Sequence, residues 1–238
     1  MAEKYYAGVY WLNRSETSQA CSRRAEAYFR LLGLLDPSWA HWFGKAYTLE
    51  EALKLRIDPV ATAFESLFAQ KEHQTVRGGY ALAVWNGDPS ADGTKTNFSC
   101  GSSSQFVSNV CVLDPPTPAR SPNGERIVNA STMTQVLRAM AIAWEPDWGV
   151  VMSVAFLDQV FPGKLPPVLV GWVTYLSHRR GSVPPLPAPV RVEPVENLGT
   201  LIILTPERFT ADNPAHVELA AHVRSLLDEA GLLAPAQP

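Results

Sequence analysis

Residues 80–113 read YALAVWNGDPSADGTKTNFSCGSSSQFVSNVCVL, and this stretch contains three apolar segments separated by turn sequences. Each segment is short and contains β-branched or aromatic residues, which is typical of a β-strand. The first connection begins with Asn86-Gly87-Asp88-Pro89 and the second contains Gly101–Ser104, both of which favour turns. Because neither connection is long enough for a helical crossover, the stretch predicts adjacent antiparallel strands. The predicted strands are Tyr80–Trp85, Thr96–Cys100 and Phe106–Leu113.

Similar strand segments lie on both sides of this stretch. Tyr5–Leu12 carries aromatic and β-branched residues and is apolar on both of its faces, as an internal strand is. Val190–Val195 and Thr200–Leu204 are separated by Glu196-Asn197-Leu198-Gly199, which predicts a hairpin. The remaining predicted strands are Gly149–Ala155 and Val168–Ser177.

Helical signals are concentrated before residue 70 and return later in the chain. Ser15 is predicted to cap a long helix that Asp36-Pro37 ends, since proline lacks the N–H that a helix needs. Thr48-Leu49-Glu50-Glu51 matches a capping box, and Thr132 with Gln135 resembles another. Shorter helical segments are predicted at Ser38–Lys45, after Asp58-Pro59 and at Phe156–Phe161, an irregular connection at Asp114–Asn123, and a last helix from Asp212-Asn213-Pro214.

This order of elements predicts an α+β fold. Helices cluster near the N-terminus, strands dominate the middle and one helix follows at the C-terminus. Hairpin-length connections outnumber helical crossovers, so we expect a largely antiparallel sheet with helices packed on one face. The 238 residues are predicted to form one domain, residues 1–238.

Composition excludes several classes of protein. With 46% hydrophobic residues the chain is not intrinsically disordered. It has 20 Lys and Arg against 23 Asp and Glu, so no basic excess is available to neutralise a nucleic-acid backbone. Direct nucleic-acid binding is therefore not expected. The apolar runs Gly149–Leu157 and Pro166–Leu176 are too short to span a membrane, so no membrane association is predicted either.

Cysteine usage and the first residues predict a cytoplasmic protein. The three cysteines are Cys21, Cys100 and Cys111, an odd number without C-x-x-C spacing, which argues against a disulfide framework or a structural zinc. The last two are predicted to be small core residues, although a redox or nucleophilic pair stays open. The chain shows no charged-then-apolar leader after its first methionine.

A search for catalytic motifs finds none, and no cofactor or metal site is predicted. Phosphate-binding loops, dinucleotide fingerprints, the H-E-x-x-H motif and the G-x-S-x-G elbow are all absent from the sequence. His216 and His222 are six residues apart on the predicted last helix, so they lie on different faces and are expected to be solvent-facing.

Two groups of residues are candidates for binding another protein. Acidic residues at predicted turns, which include Asp88, Asp92 and Asp147, fit either a solvated surface or a contact with a basic partner. Four tryptophans outside the predicted strands fit either exposed anchors or lids over the core. These are Trp39, Trp42, Trp144 and Trp148, whereas Trp11, Trp85 and Trp172 are predicted to be core residues.

Several of these segments together resemble one protein family. The residues that carry the resemblance are Tyr5–Trp11, Arg14-Ser15-Glu16, Arg23-Arg24-Ala25, Trp39–Phe43, Glu50-Glu51-Ala52-Leu53 and Trp85-Asn86-Gly87. They are similar to the immunity protein 52 family of bacterial polymorphic toxin systems, most specifically over residues 5–90. Because these residues are aromatic or turn-forming, they indicate a family without defining a catalytic site.

The resemblance implies an antitoxin whose partner is a cognate toxin. Toxins associated with this family carry a nuclease domain of the restriction-endonuclease fold and are often type VI secretion effectors. The expected mechanism is occlusion of the nuclease active site, and a block at an exosite or of toxin oligomerisation is second. An effector-binding adaptor or chaperone stays open as an alternative, and an uncharacterised enzyme is a less favoured one. The predicted toxin-binding residues are Trp39, Trp42, Asp88, Asp92, Trp144, Asp147 and Trp148.

Overall fold

Antiparallel pairing organises the strands of this protein into a sheet. A computed structural model of the chain describes residues 2–76, 78–88, 92–104, 109–163 and 165–235. Within these ranges ten strands form one sheet in the order β3-β2-β4-β5-β6-β1-β7-β8-β10-β9. The strands are β1 (Tyr5–Trp11), β2 (Trp42–Phe43), β3 (Arg56–Ile57), β4 (Tyr80–Trp85), β5 (Lys95–Cys100), β6 (Asn109–Asp114), β7 (Trp148–Ser153), β8 (Val173–Ser177), β9 (Arg191–Val195) and β10 (Gly199–Ile203).

Seven α-helices accompany the sheet in the described part of the chain. They are α1 (Ser18–Leu35), α2 (Leu49–Lys54), α3 (Ala61–Phe68), α4 (Pro122–Ile127), α5 (Ala130–Trp144), α6 (Val154–Val160) and α7 (Pro214–Glu229). Short 3₁₀ helices lie at Pro37–Trp39, Lys71–His73, Pro118–Arg120 and His178–Arg180. The predicted α+β class with a largely antiparallel sheet is confirmed.

Helix ends follow the capping chemistry of the sequence, with some shifts in position. The α1 helix begins at Ser18 because the Thr17 hydroxyl, not that of Ser15, accepts a hydrogen bond from the Ala20 N–H (3.2 Å). The α5 helix is capped by Asn129, three residues before the predicted Thr132. The predicted capping box at Thr48 and the start of α7 at Pro214 are confirmed.

Three predicted segments differ from the structure. Ser38–Lys45 is helical only at its start, in the 3₁₀ helix Pro37–Trp39, because Trp42 and Phe43 pair with Ile57 and Trp85 as a short strand. The connection Asp114–Asn123 is less irregular than predicted, since Ser121 caps α4 and Pro122 occupies its first position. The third difference is that the predicted strand Val168–Ser177 pairs only from Val173 onward. The start of the predicted strand Phe106–Leu113 lies outside the described residues, and the described strand begins at Asn109.

One face of the sheet packs against helices α1, α3 and α5. Trp144 of α5 lies 4.9 Å from Phe98 of β5 and 5.4 Å from Trp11 of β1, measured between ring centroids. Phe29 of α1 and Phe68 of α3 approach the same Phe98 ring at 6.4 and 6.3 Å. These side chains are all buried, so the main core lies between these helices and this face.

The opposite face of the sheet is covered unevenly. Val150 and Met152 of β7 are buried, and the segment before β8 lies against them, since a Cβ at Gly171 would come within 2.7 Å of Val150 Cγ2. Over β4, β5 and β6 the outward side chains are instead half-buried or exposed. We call this region the open face; its residues are Ala81, Ala83, Trp85, Lys95, Asn97, Ser99, Val110, Val112 and Asp114.

Candidate functional site

Three of the predicted toxin-binding tryptophans are core residues. Trp39 is 1%, Trp42 1% and Trp144 0% exposed, so the interpretation of these residues as exposed anchors is wrong. The Trp39 indole N–H donates to Thr94 Oγ1 (2.9 Å) and the Trp42 indole N–H donates to the Trp39 carbonyl (3.0 Å). Because the polar edge of each of these two indoles has a partner inside the protein, both rings can be buried. The alternative interpretation, lids over the core, describes them.

The other tryptophan predictions are partly confirmed. Trp11 and Trp172 are buried as predicted, although Trp172 lies just before β8 and not in a strand. Trp85 is only half-buried, because it points to the open face, and its indole N–H donates to the Gly44 carbonyl (3.2 Å). Trp148 is also half-buried and stacks on Tyr10 with ring centroids 4.3 Å apart.

The predicted acidic residues lie at two separate places. Asp88 and Asp92 are both on the β4–β5 connection, where Asp88 accepts a hydrogen bond from Asn86 (2.7 Å) and Asp92 accepts one from Ser121. Asp147 precedes β7, accepts a hydrogen bond from the Leu12 N–H (2.9 Å) and forms an ion pair with Arg179 (2.9 Å). All three carboxylates therefore have partners within the protein.

Asp147 and Trp148 share a small pocket at one end of the sheet face that lies opposite helices α1, α3 and α5. The pocket has a volume of about 240 Å³ and is lined by Tyr10, Trp11, Leu12, Asp147, Trp148, Pro167, Arg180 and Pro235. The structure thus brings together two of the predicted site residues, and it places Asp88 and Asp92 elsewhere.

Other sequence predictions about reactive side chains can also be compared with the structure. Cys21, Cys100 and Cys111 are buried free thiols, as expected for small core residues. Burial raises the pKa of Cys111 to about 12, so this thiol is protonated at neutral pH. His216 is not solvent-facing as predicted: it is 5% exposed, stacks on Phe209 and accepts a hydrogen bond at Nδ1 from the Thr210 N–H (3.0 Å).

A concave groove lies on the open face, and the sequence did not indicate it. It has a volume of about 780 Å³. Its floor is formed by the small outward side chains of β4 and β5, namely Ala81, Ala83, Asn97 and Ser99. Leu55, Ile57 and Leu67 line its sides. We call this feature the β4–β5 groove. Sites that bind other molecules are commonly concave and apolar with a few polar groups, and this groove has that composition.

Exposed apolar side chains lie in and beside α2, whose last residue Lys54 and the following Leu55 line the β4–β5 groove. Tyr47, Leu49, Leu53 and Leu55 lie in or beside α2, and all four are exposed. Helix α2 buries only Ala52. A helix with two exposed leucines spaced four residues apart presents an apolar stripe that the rest of the chain does not cover. The capping box predicted this helix correctly, but an apolar stripe in a sequence is usually interpreted as core.

Partial burial shifts the pKa values of two groups on the sheet face opposite helices α1, α3 and α5. Burial and the nearby Asp114 and Cys111 raise the pKa of Tyr10 to about 12. Burial also raises the pKa of Asp114, and the positive charges of Lys95 and Lys45 partly oppose this rise. Tyr10 is therefore neutral at pH 7.

Two other features, a metal-binding cluster and a membrane-spanning helix, are absent from the described residues. No group of three or more His, Cys, Asp or Glu side chains within these ranges is arranged to hold a metal ion. None of the described helices is both long and apolar enough to cross a bilayer.

Comparison with known proteins identifies the family. The sequence profile of Immunity protein 52 (Imm52) matches residues 3–236. The chain belongs to the immunity protein 52 family. The resemblance that residues 5–90 suggested is therefore confirmed and extends over nearly all of this Imm52 chain.

A solved structure supports the fold of this Imm52 protein. The "Pseudomonas aeruginosa T6SS protein PA0821" superimposes with a TM-score of 0.58 at 15% sequence identity, covering 94% of this chain and 73% of that chain. At this identity the likeness concerns the fold. The comparison with curated proteins found no match.

Proposed function

We propose that this Imm52 protein neutralises a cognate secreted toxin by binding it in the cytoplasm. The finer identity of the toxin, a DNase of the restriction-endonuclease fold delivered by a type VI secretion system, is part of the proposal. Membership of an immunity family supports it, and so does the description of PA0821 as a T6SS protein. The inhibitor itself makes and breaks no covalent bond in this proposal.

The observation that carries the proposal is the incomplete cover of the sheet. Helices α1, α3 and α5 cover one face of the sheet, whereas β4, β5 and β6 leave the open face to solvent. Antiparallel sheets commonly leave one face in water, but exposed Leu49, Leu53 and Leu55 add apolar surface of the kind that marks interaction sites. We infer that the open face, with the β4–β5 groove, is the toxin-binding surface.

Occlusion of the toxin's active site is the proposed mechanism. An interface of standard size buries about 800 Å² on each partner, which is enough to cover a nuclease cleft. The anchors of such an interface are exposed or half-buried before binding. Trp148 meets this condition, while Trp39, Trp42 and Trp144 do not. Trp148, with Asp147 beside it, is proposed as a second contact point at the edge of the open face.

Co-expression with the product of the neighbouring gene tests the proposal. We expect the wild-type chain to restore survival and DNA integrity in cells that produce the toxin, and to co-purify with it as a stable complex. Rescue by substoichiometric amounts, or without a complex, would contradict stoichiometric inhibition. Co-purification that leaves nuclease activity intact would instead identify an adaptor or chaperone.

A further inference from the structure

The cationic side chains of the β4–β5 groove indicate the chemistry of its partner. These are Lys45, Lys54 and Arg56, which line the groove at the end formed by β2, α2 and β3. The one carboxylate in this lining is that of Glu72. The lining of the groove therefore contains more cations than carboxylates, whereas the protein as a whole has a net charge of −3.

The ion pairs that these cations form within the chain are exposed to solvent and weak. Lys54 forms an ion pair with Glu50 (2.8 Å), but the two side chains are 67% and 84% exposed. Arg56 lies 3.9 Å from Asp58, and both side chains are again more than half exposed. Exposed pairs of this kind contribute little stability, so a bound carboxylate can replace Glu50 or Asp58 at small cost. Within the described ranges Lys45 has no ion pair.

The floor and walls of the groove indicate the size and polarity of the partner segment that fits it. Ala81, Ala83 and Ser99 have short side chains, so a partner segment can approach the sheet closely there. Leu55, Ile57 and Leu67 offer apolar walls, and Leu49 and Leu53 extend the apolar surface along α2. Apolar side chains on the partner would bury area against these walls, while its carboxylates would reach the cations at the end of the groove.

We infer that the β4–β5 groove receives a segment of the toxin that carries apolar side chains flanked by carboxylates. The inference rests on the proposed function, and it reverses the expectation that acidic loops of the inhibitor face a basic surface of the toxin. Recognition at this place uses cations of the immunity protein and acids of the toxin. A basic segment is disfavoured in the groove because it would place like charges together.

Charge reversal in the groove provides the first test. The toxin encoded by the neighbouring gene, made as a nuclease-inactive variant, is the probe. The double variant Lys45→Glu/Arg56→Glu is expected to weaken its binding at least tenfold, mainly through slower association. The matched control is Arg23→Glu/Arg30→Glu, which makes the same change in charge on the exposed surface of α1 and is expected to alter binding less than twofold.

A photo-crosslinking residue at position 83 provides the second test. Ala83 lies on the floor of the groove and is only half-buried, so the probe residue would point to the partner without replacing a core side chain. We expect crosslinks to a toxin peptide that contains Asp or Glu together with apolar residues. The same residue at position 30 on α1 is the control and should give no crosslink.

The outcomes separate the two proposals. If the wild-type chain neither binds nor neutralises the toxin, the proposed function fails and the inference fails with it. If the wild type binds and neutralises but the double variant binds equally well or more tightly, the inference alone is overturned. Crosslinking of position 83 to a peptide rich in Lys and Arg, or none while the wild type binds, overturns it as well. Unchanged melting temperatures of the double variant show that any loss of binding is not a loss of folding.

Discussion

The indole rings of Trp11 on β1 and Trp144 on α5 stack with their centroids 5.4 Å apart and their planes 20° apart. Trp144 is the last residue of α5, so this contact fixes the end of the helix to the centre of the sheet. Tyr28 of α1 lies 6.1 Å from the same ring of Trp144. The stack therefore connects the sheet to two helices at once.

Replacing Trp144 is expected to lower the free energy of unfolding. Trp144→Ala removes a fully buried ring between α5 and the sheet, and substitutions of this kind cost about 3–5 kcal/mol in the free energy of unfolding. Urea denaturation followed by circular dichroism measures the loss. The conservative variant Trp144→Phe is expected to lose less than half as much free energy of unfolding as Trp144→Ala. A loss below about 1 kcal/mol for Trp144→Ala would contradict the packing described here.

Arg24 is expected to stabilise the C-terminal end of α5. Its Nη1 donates to the Ala143 carbonyl (3.0 Å), and its guanidinium forms ion pairs with Glu16 (2.7 Å) and Glu145 (3.0 Å). Arg24→Gln removes the cation from the Ala143 carbonyl and from Glu145, while Glu16 keeps its ion pair with Arg14 (3.1 Å), and we expect a loss of about 2 kcal/mol in the free energy of unfolding. The control is Arg23→Gln on the exposed side of the same turn, which should be nearly neutral in the same denaturation experiment. Equal losses for the two variants would contradict the role of Arg24.

Asp36 is expected to make stability depend on acidic pH. Burial by itself raises the pKa of Asp36, but hydrogen bonds from Arg126 and Ser38 outweigh burial, so the pKa in the folded state is lowered. The unfolded chain then binds this proton more readily, and the stabilisation present at neutral pH is lost as the pH falls below about 4. Unfolding free energies at pH 7, 5, 4 and 3 should show the advantage of the wild type over Asp36→Asn shrinking with acid.

An aspartate on the surface provides the control for Asp36. Asp158 on α6 is exposed, so the difference between the wild type and Asp158→Asn should stay small at every pH. An advantage over Asp36→Asn that is constant from pH 7 to pH 3 would show that the carboxylate of Asp36 is not held in its charged form.

Two adjacent glycines before β4 offer a matched pair of substitutions. Gly79 has φ +87°, and a Cβ there would lie 2.4 Å from the Cys100 carbonyl oxygen. Gly78 has φ +79°, but a Cβ there would meet nothing within 4 Å. Gly78→Ala should therefore cost only backbone strain, about 1–2 kcal/mol, while Gly79→Ala adds a backbone clash and should cost distinctly more. Thermal denaturation of the two variants compares them directly, and equal melting temperatures would contradict the expectation.

Trp148 is expected to contribute to toxin binding more than to stability. Its half-buried ring stacks on Tyr10 on the sheet face opposite helices α1, α3 and α5. Trp148→Ala therefore removes little buried core packing but a large area available for contact with a partner. If Trp148 is an anchor, its truncation should weaken toxin binding by about 30-fold or more, the effect typical of a hot spot. Calorimetric titration with the inactive toxin measures the change. Binding equal to that of the wild type would remove Trp148 from the proposed interface.

Much of the sheet could be predicted from the sequence because its strands have local signals. The strand β4 matches Tyr80–Trp85 residue for residue, since its apolar run ends at an unambiguous turn. The short strand β2 has no local signal, because only its long-range pairing with β3 and β4 makes it extended. The sequence predicts Ser15 and Thr132 as helix caps where neighbouring Thr17 and Asn129 serve, since several residues in each segment have capping chemistry.

The candidate site was less predictable than the fold. Trp39 and Trp42 are close in sequence to a turn, but the partner that allows Trp39 to be buried, Thr94, is 55 residues away. The β4–β5 groove depends on which side of β4 and β5 the helices cover, and alternation along a strand does not reveal this. Its floor residues, such as Ala83, are small and carry no motif, so they gave no signal of a site.

The alternation of side chains along β4, β5 and β6 has an evolutionary consequence. In β4 and β5 even-numbered positions such as Leu82 and Phe98 fill the interior, whereas Ala83 and its equivalents point outward. In β6 the interior positions are odd-numbered, such as Cys111. Mutations can therefore accumulate at every second position of these strands while the interior stays intact. When a new toxin appears, the outward residues of these strands can change one at a time, and each intermediate protein still folds and can be selected.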